Sequence, residues 1–357
     1  MMNTVITKRL ATDIGSGIMD GPQLLGLARG WLQQGNPVVA QELLLSALGS
    51  PQASESATFR AQVLKESGRA LMMQSRWDAA ESEYLEGQRL FLENREYRGA
   101  SECARNRANM CFQQGRYSEA QQHCEQALDW ATEIGDHELR ATILNTLAAI
   151  NSATGELREA LKTFGLCLAD FRAAGNVIRQ GYVHLNIGLT SLELHDHSSA
   201  LSNLNEALAI ALSEKDLHLV EICYQNISRC YLAQNECQLA RSVVDTARRI
   251  LPGLNSKALE TELNLIEGKV LRTTGDFSTA DTMLEKTYRM AVDHNLTALQ
   301  TDVLFEQGLL QKDLGNHEAA VSKLNAAAHQ YRQIGMDKSF QEVIQTIEHL
   351  ERRTTQR

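Results

Sequence analysis

The chain is short of proline, of aromatics and of positive charge, and these shortages narrow what it can be. Four prolines in 357 residues fall well below average usage of roughly 5% and favour long uninterrupted helices. A formal net charge of −9 argues against a general nucleic-acid binder, because phosphate binding needs a basic footprint. No apolar run approaches the roughly 18 residues of a membrane span, so no membrane insertion is expected. The first twenty residues, MMNTVITKRLATDIGSGIMD, lack a signal-peptide core. The seven cysteines contain no Cys-x-x-Cys pair, and a reduced cytoplasm is the simplest setting. Also missing are GxSxG, GxxxxGK[ST] and HExxH. The expectation is a cytoplasmic protein that is not an enzyme and carries no metal or cofactor.

What is present is helix-forming material in register. Ala, Leu, Glu and Gln dominate, and all favour helices. An alanine recurs every 40 residues: Ala40, Ala80, Ala120, Ala160, Ala200, Ala240, Ala280 and Ala320. Twelve residues before each sits a second small residue: Ala28, Gly68, Ala108, Ala148, Gly188, Ser228, Gly268 and Gly308. Glycine inside a helix costs about 1 kcal/mol relative to alanine, so these positions predict two antiparallel helices at closest approach.

Five residues before each alanine lies a third column, Gly35, Ser75, Gly115, Gly155, His195, Asn235, Gly275 and Gly315. It predicts a left-handed helix end, which glycine accepts and Asn or His tolerates. Asn36, Asp196, Asp276 and Asn316 follow as N-caps of the next helix. The fourth repeat reads as helix A over 136–155 and helix B over 157–175. A second turn around Gly135 and Gly175 leads onward. A lone helical hairpin cannot bury its apolar face, so neighbouring repeats must stack.

The pattern of small residue, glycine turn, alanine and aromatic positions (Ala148, Gly155, Ala160, Phe164, Cys167) resembles the tetratricopeptide repeat in its longer 40-residue form. That form is similar to the repeats of kinesin light chains, Leu-Gly-Asn-repeat scaffolds, and bacterial peptide-sensing and MalT-like regulators. The resemblance implies an all-α, right-handed superhelical solenoid of eight helix-turn-helix repeats over 21–337. It would be followed by a capping helix and polar tail over 338–357. Residues 1–20 match no repeat and are expected to form a flexible arm.

The repeat also accounts for residues that look chemical. Cys103 and Cys223 share a column with Val63, Ile143 and Val303, and Cys230 shares one with Met110 and Ile150. They read as buried hydrophobes rather than ligands. In LELHDHSSAL (192–201), His195 occupies the left-handed column, Asp196 caps the next helix, and His197 stands where Trp77, Tyr117 and Phe277 stand.

The resemblance implies that positions 2, 5, 9 and 12 of each helix A line a concave groove. Those positions hold Arg29, Lys65, Arg69, Arg105, Arg229, Lys269, Arg272 and Lys312 against Glu102, Glu262 and Asp302. The groove is thus basic within an acidic chain, though adding neighbouring columns brings in Glu66, Glu193, Glu306 and Asp313. Asn106, Asn186 and Asn226 share another position, with Asn109 and Asn145 close by. Asparagine offers both donor and acceptor, and family resemblance implies pairing with an extended peptide backbone. Lys65, Arg69, Arg105, Asn106 and Asn109 together partly resemble a carboxylate clamp, with Arg69 where the family has asparagine. Tyr182, Leu185, Leu189, Leu192, Ile222 and Leu232 supply apolar groove positions.

The expected function is a scaffold or adaptor that holds an acidic, partly apolar protein or peptide segment in this groove, without contacting nucleic acid directly. The alternative is a ligand- or peptide-responsive regulator that controls a transcription factor or effector enzyme through superhelical shape. Self-association stays open.

Overall fold

The computed structural model describes residues 19–250 and 257–355. The expected arm falls almost wholly outside those residues. Every described element is a helix: α1 Gly21–Gln33, α2 Pro37–Leu48, α3 Pro51–Glu55, α4 Ala57–Met73, α5 Trp77–Glu93, α6 Tyr97–Gln113, α7 Tyr117–Glu133, α8 His137–Ala153, α9 Leu157–Ala173 and α10 Val177–Glu193. They continue with α11 His197–Glu214, α12 Leu217–Ala233, α13 Cys237–Ile250, α14 Lys257–Thr273, α15 Phe277–Asp293, α16 Thr297–Asp313, α17 His317–Gln333 and α18 Asp337–Thr355. The chain divides into two compact units, Met1–Thr190 and Ser191–Arg357.

The turns explain the regular helix lengths. All eight residues of the predicted left-handed column have positive φ, from +57° at Ser75 to +85° at Gly155, with His195 at +58°. A second series offset by half a repeat does the same, through Arg95, Gly135, Gly175, Lys215, Asn295 and Gly335. At each of these points the helix stops and the chain reverses, because a left-handed residue cannot continue a right-handed helix. The fourth-repeat helices are correspondingly shorter than the sequence reading, with residues 154–156 and 174–176 forming the turns.

Capping divides by chemistry. Asp196 accepts from the Ser199 amide at 3.0 Å and Asp276 from the Thr279 amide at 3.3 Å. Asp20, Asp136 and Asp216 cap α1, α8 and α12 in the same way. Asn36 and Asn316 stand at N-caps, but neither caps through its side chain. Their amides donate instead to the Gln34 carbonyl and to Gln311 Oε1. A carboxylate is the better acceptor at the positive end of a helix. The first repeat departs from the pattern: Gly49 and Pro51 end α2 early and the short α3 intervenes.

The alanine column is the seam of each hairpin, and all eight alanines are fully buried. The second small column works as predicted. A Cβ on Gly68 would meet the Tyr84 ring at 2.8 Å, one on Gly268 would meet Leu284 at 2.6 Å, and one on Gly308 would meet Leu324 at 2.8 Å. In each case the small residue of helix A faces the residue sixteen positions on in helix B. In unit 1 the seam continues as one apolar cluster holding Leu64, Leu71, Tyr84, Phe91, Cys103 and Met110. In unit 2, Leu265, Leu271, Leu284, Val303 and Leu310 form its counterpart. Val343, Ile347 and Leu350 of α18 pack on Ala327, Ala328 and Tyr331 of α17, closing the apolar face of the hairpin before them.

Candidate functional site: the polar face of the A helices

In unit 1 the A helices are α1, α4, α6, α8 and α10, and polar side chains stitch each to the next. Arg29 Nε lies 3.0 Å from Glu66, and Lys65 Nζ pairs with Glu102. Arg98 reaches Asp136 at 2.5 Å, Asn176 donates to Glu138 at 2.9 Å, and Asn186 donates to Asn145 at 3.0 Å. Of the predicted groove residues, these bonds join Asn145 to Asn186 and tie Arg29 and Lys65 to acids of the following A helix. Burial would push the Glu102 carboxyl up, but Lys65 beside it, helped by Arg98 and Arg105, holds it below its ordinary range. Arg69 approaches Glu66 at 3.9 Å and stays exposed.

The basic character expected of this face is therefore largely spent inside the protein. Its acids lie 37 residues beyond their partners, as in Arg29 to Glu66 and Lys65 to Glu102. That interval was readable in the sequence as matched charges between neighbouring repeats. Counting columns one at a time does not reveal it.

Among the groove cations of unit 1 Arg105 is the exception, with no ion pair among the described residues. Its Nη2 donates to Asn106 Oδ1 at 2.8 Å, while Nε is shielded from water with no hydrogen-bond partner. Burial works against the charge and lowers its pKa. Within electrostatic reach of it is Tyr84, a residue of the B helix α5 that the groove columns did not include. Tyr84 is fully buried, its ring lies across Gly68, and its hydroxyl has no partner. Burial holds its phenol above its ordinary pKa, and Cys103, Arg105, Glu66 and Arg69 are all within electrostatic reach. Each unsatisfied buried group of this kind costs about 1–3 kcal/mol.

The other groove residues of unit 1 are half-buried. Asn109, Asn145, Asn186, Tyr182 and Leu189 show part of their surface, while Leu185 is buried. The Asn145–Asn186 bond uses one carbonyl and one amide, leaving Asn145 Nδ2 and Asn186 Oδ1 outside it. In unit 2 the A helices α12, α14 and α16 repeat the arrangement. Gln225 donates to Glu262 at 2.5 Å, and Arg272 bridges Glu306 and Asp313 at 2.5 Å each. Asn226 is buried and its amide donates to the Ile222 carbonyl at 2.8 Å. Arg229 is exposed and Lys269 half-buried.

Six of the seven thiols belong to the packing, being buried. Cys103, Cys124, Cys167 and Cys223 are buried, and burial pushes each thiol up to about 12, which disfavours a thiolate nucleophile. Among the described residues no group of three His, Cys, Asp or Glu is arranged to hold a metal ion. His195 sits at its turn, and His197 Nδ1 lies 3.9 Å from the Cys230 sulfur. No helix among the described residues is long and apolar enough to cross a membrane.

Comparison with known proteins fits the geometry. Residues 100–173 match the tetratricopeptide repeat family model, and the described helices continue its consecutive helical repeats through both units. Residues 100–173 thus carry the tetratricopeptide repeat, and the fold of the chain is similar to that of solved structures of helical-repeat proteins. Among solved structures it is similar to the apo form of RapI, at 16% identity and TM-score 0.62, over 78% of this chain and 99% of that one. It is also similar to a signal-transduction ATPase with a tetratricopeptide-repeat sensor from Pyrococcus horikoshii, at 15% identity and TM-score 0.65, over 91% of this chain and 48% of that one. A Rap protein complexed with competence and sporulation factor aligns at 14% identity and TM-score 0.54, over 94% and 98% of the two chains. Curated protein sequences give no significant match.

Proposed function

We propose that the protein binds an extended protein or peptide segment along the polar face of its A helices, and that the segment carries acidic and apolar residues. The observation that carries the reading is Arg105, a groove cation without a carboxylate partner. Asn106, which accepts from it, and Lys65, Arg69 and Asn109 of α4 and α6 are assigned to the same site. Asn145 and Asn186 offer the remaining donor and acceptor for a peptide backbone, and Tyr182, Leu185 and Leu189 supply apolar contact. In unit 2, Arg229 and Lys269 are the cations assigned to the same role, whereas Arg272 is held by Glu306 and Asp313 and Asn226 is buried with its amide on the Ile222 carbonyl. The similar Rap structure is complexed with competence and sporulation factor, which supports a binding role for this fold.

Selection from a random peptide library tests this. The full chain should enrich peptides containing Asp or Glu beside apolar residues, and the Arg69→Glu, Arg105→Glu double variant should lose that enrichment. Identical selections by the two proteins would overturn the reading.

A second reading, a ligand-driven switch acting on an effector, is favoured by the ladder itself. Lys65–Glu102 joins α4 to α6 on the face that would receive the ligand, so a competing ligand carboxylate would weaken that junction. Small-angle scattering with and without an enriched peptide separates the readings: unchanged dimensions favour a passive scaffold.

A further inference from the structure

The fourth repeat breaks the surface pattern of the B helices. On α9, Leu166 is 61% exposed, in a column that elsewhere holds Glu86, Gln126, Glu206, Thr246 and Lys286. Gly165 and Ala169 are exposed beside it, where the third repeat has Glu125 and Asp129 and the seventh has Glu285 and Arg289. A Cβ on Gly165 would meet nothing within 4 Å.

Leu166 and Ala169 edge a depression of about 250 Å³ between the B helices α7 and α9, with Leu128 of α7 and Leu144 of α8 also lining it. That volume is below the roughly 300–1,000 Å³ of a small-molecule pocket and suits one large apolar side chain. The polar wall is already satisfied: Arg140 Nε donates to Asp170 at 2.6 Å, and His137 Nδ1 lies 3.0 Å from the same carboxylate. The two banks carry opposite charge. One turn from Leu128 and Thr132, α7 exposes Glu125 and Asp129, and this helix has no Lys or Arg. One turn from Leu166 and Ala169, α9 exposes Lys162 and Arg172, and its one exposed acid, Glu159, is held by Lys162 at 2.8 Å.

We propose that the trough between α7 and α9 docks an amphipathic helix of a partner protein. One large apolar residue of that helix enters the depression beside Leu166. Its Lys or Arg residues face the α7 bank, and its Asp or Glu residues face the α9 bank. Gly165 and Ala169 give the incoming helix a close approach, since neither carries a side chain beyond Cβ. Anchors at helical spacing are the usual means by which a groove reads a helix. This surface is separate from the proposed peptide face and does not depend on it.

The test selects from a displayed library of alanine-rich helical peptides with one face randomised, using the full chain. Wild type should enrich helices with a Leu, Ile, Met or Phe stripe, basic residues along one edge and acidic residues along the other. Leu166→Glu should weaken their binding at least about tenfold, the loss expected of a central anchor. Glutamate already stands in this column at Glu86 and Glu206, so the fold tolerates it. Gly165→Gln should melt no lower than wild type, because it gains helix propensity and meets no neighbour, yet should bind the helices several-fold less tightly. Lys162→Glu with Arg172→Glu should shift the enriched acidic edge to a basic one. The Arg69→Glu, Arg105→Glu double variant should bind the helices like wild type.

Enrichment of no helix, or of helices that bind Leu166→Glu as they bind wild type, overturns the proposal. Loss of binding in the Arg69→Glu, Arg105→Glu variant places the helices on the polar face and also overturns it. A wild-type dimer in sedimentation velocity that Leu166→Glu dissociates gives the trough to a second copy and overturns the partner helix.

Discussion

Two carboxylates show how strongly position decides the behaviour of one residue type. Asp170 is buried at the junction of α8 and α9. Burial would raise its pKa, but hydrogen bonds from Arg140 and His137 hold it below the ordinary aspartate value. Its pKa is thus lower folded than unfolded, so its stabilisation is full above the ordinary range and lost as pH falls through the folded value. Asp170→Asn should remove that part of the acid sensitivity in a melting-temperature profile against pH. Glu262 behaves oppositely. Burial first, and Asp302 second, raise its pKa, so the fold favours its protonated form. Its contribution is present in acid and lost as pH rises through the folded value. Glu262→Gln should therefore raise the melting temperature at neutral pH, with the gain shrinking in acid. At the turn, His195 at φ +58° occupies a conformation that glycine holds without a Cβ penalty. His195→Gly should stabilise by up to about 1 kcal/mol in denaturant titration, a limit set by left-handed strain minus the added entropy of the unfolded chain.

At the scale of the element, helix contacts follow the small-residue columns. Gly308→Ala places a Cβ 2.8 Å from Leu324 and 3.3 Å from its backbone nitrogen. Overpacking of about 1–3 kcal/mol should exceed the helix-propensity gain of about 1 kcal/mol, giving a net loss. Gly165, inside α9 with nothing within 4 Å, is the control: Gly165→Ala should stabilise by about 0.5–1 kcal/mol. Chemical denaturation of the two variants checks both signs. Across neighbouring hairpins, Arg272 satisfies Glu306, which is only 2% exposed. Arg272→Ala should cost about 3 kcal/mol because it strands that buried carboxylate, whereas pairing Arg272→Met with Glu306→Leu should recover most of the loss. The helices and turns were legible because Ala40 to Ala320 and Gly35 to Gly315 each obey one local rule at one spacing. The site was less legible. Lys65 and Arg272 stand in groove columns, but their charge is answered by acids from the next repeat. Tyr84, whose ring packs on Gly68, comes from a B helix, which no helix-A column contains. Pairings between repeats depend on how helices lie side by side, and a single-column reading does not carry that.

At the scale of the molecule, stability in stacked repeats is a sum of local hairpins and nearest-neighbour interfaces. Damage should stay near its source. In native-state hydrogen exchange, Gly308→Ala should lower protection in α15 to α18 and leave α4 to α8 as in wild type. In the proposed reading the same locality would give the groove semi-independent stations, and a partner held at Arg105 would gain further affinity from Asn145, Asn186 and the apolar residues of α10. The central claim is that the A-helix face receives the ligand. It is tested most directly by the hydrogen-exchange footprint of a library-selected acidic peptide on the full chain. Slowed exchange concentrated in α4, α6, α8 and α10 is the predicted result. Slowed exchange confined to α5, α7 and α9, with the A helices unchanged, would contradict it.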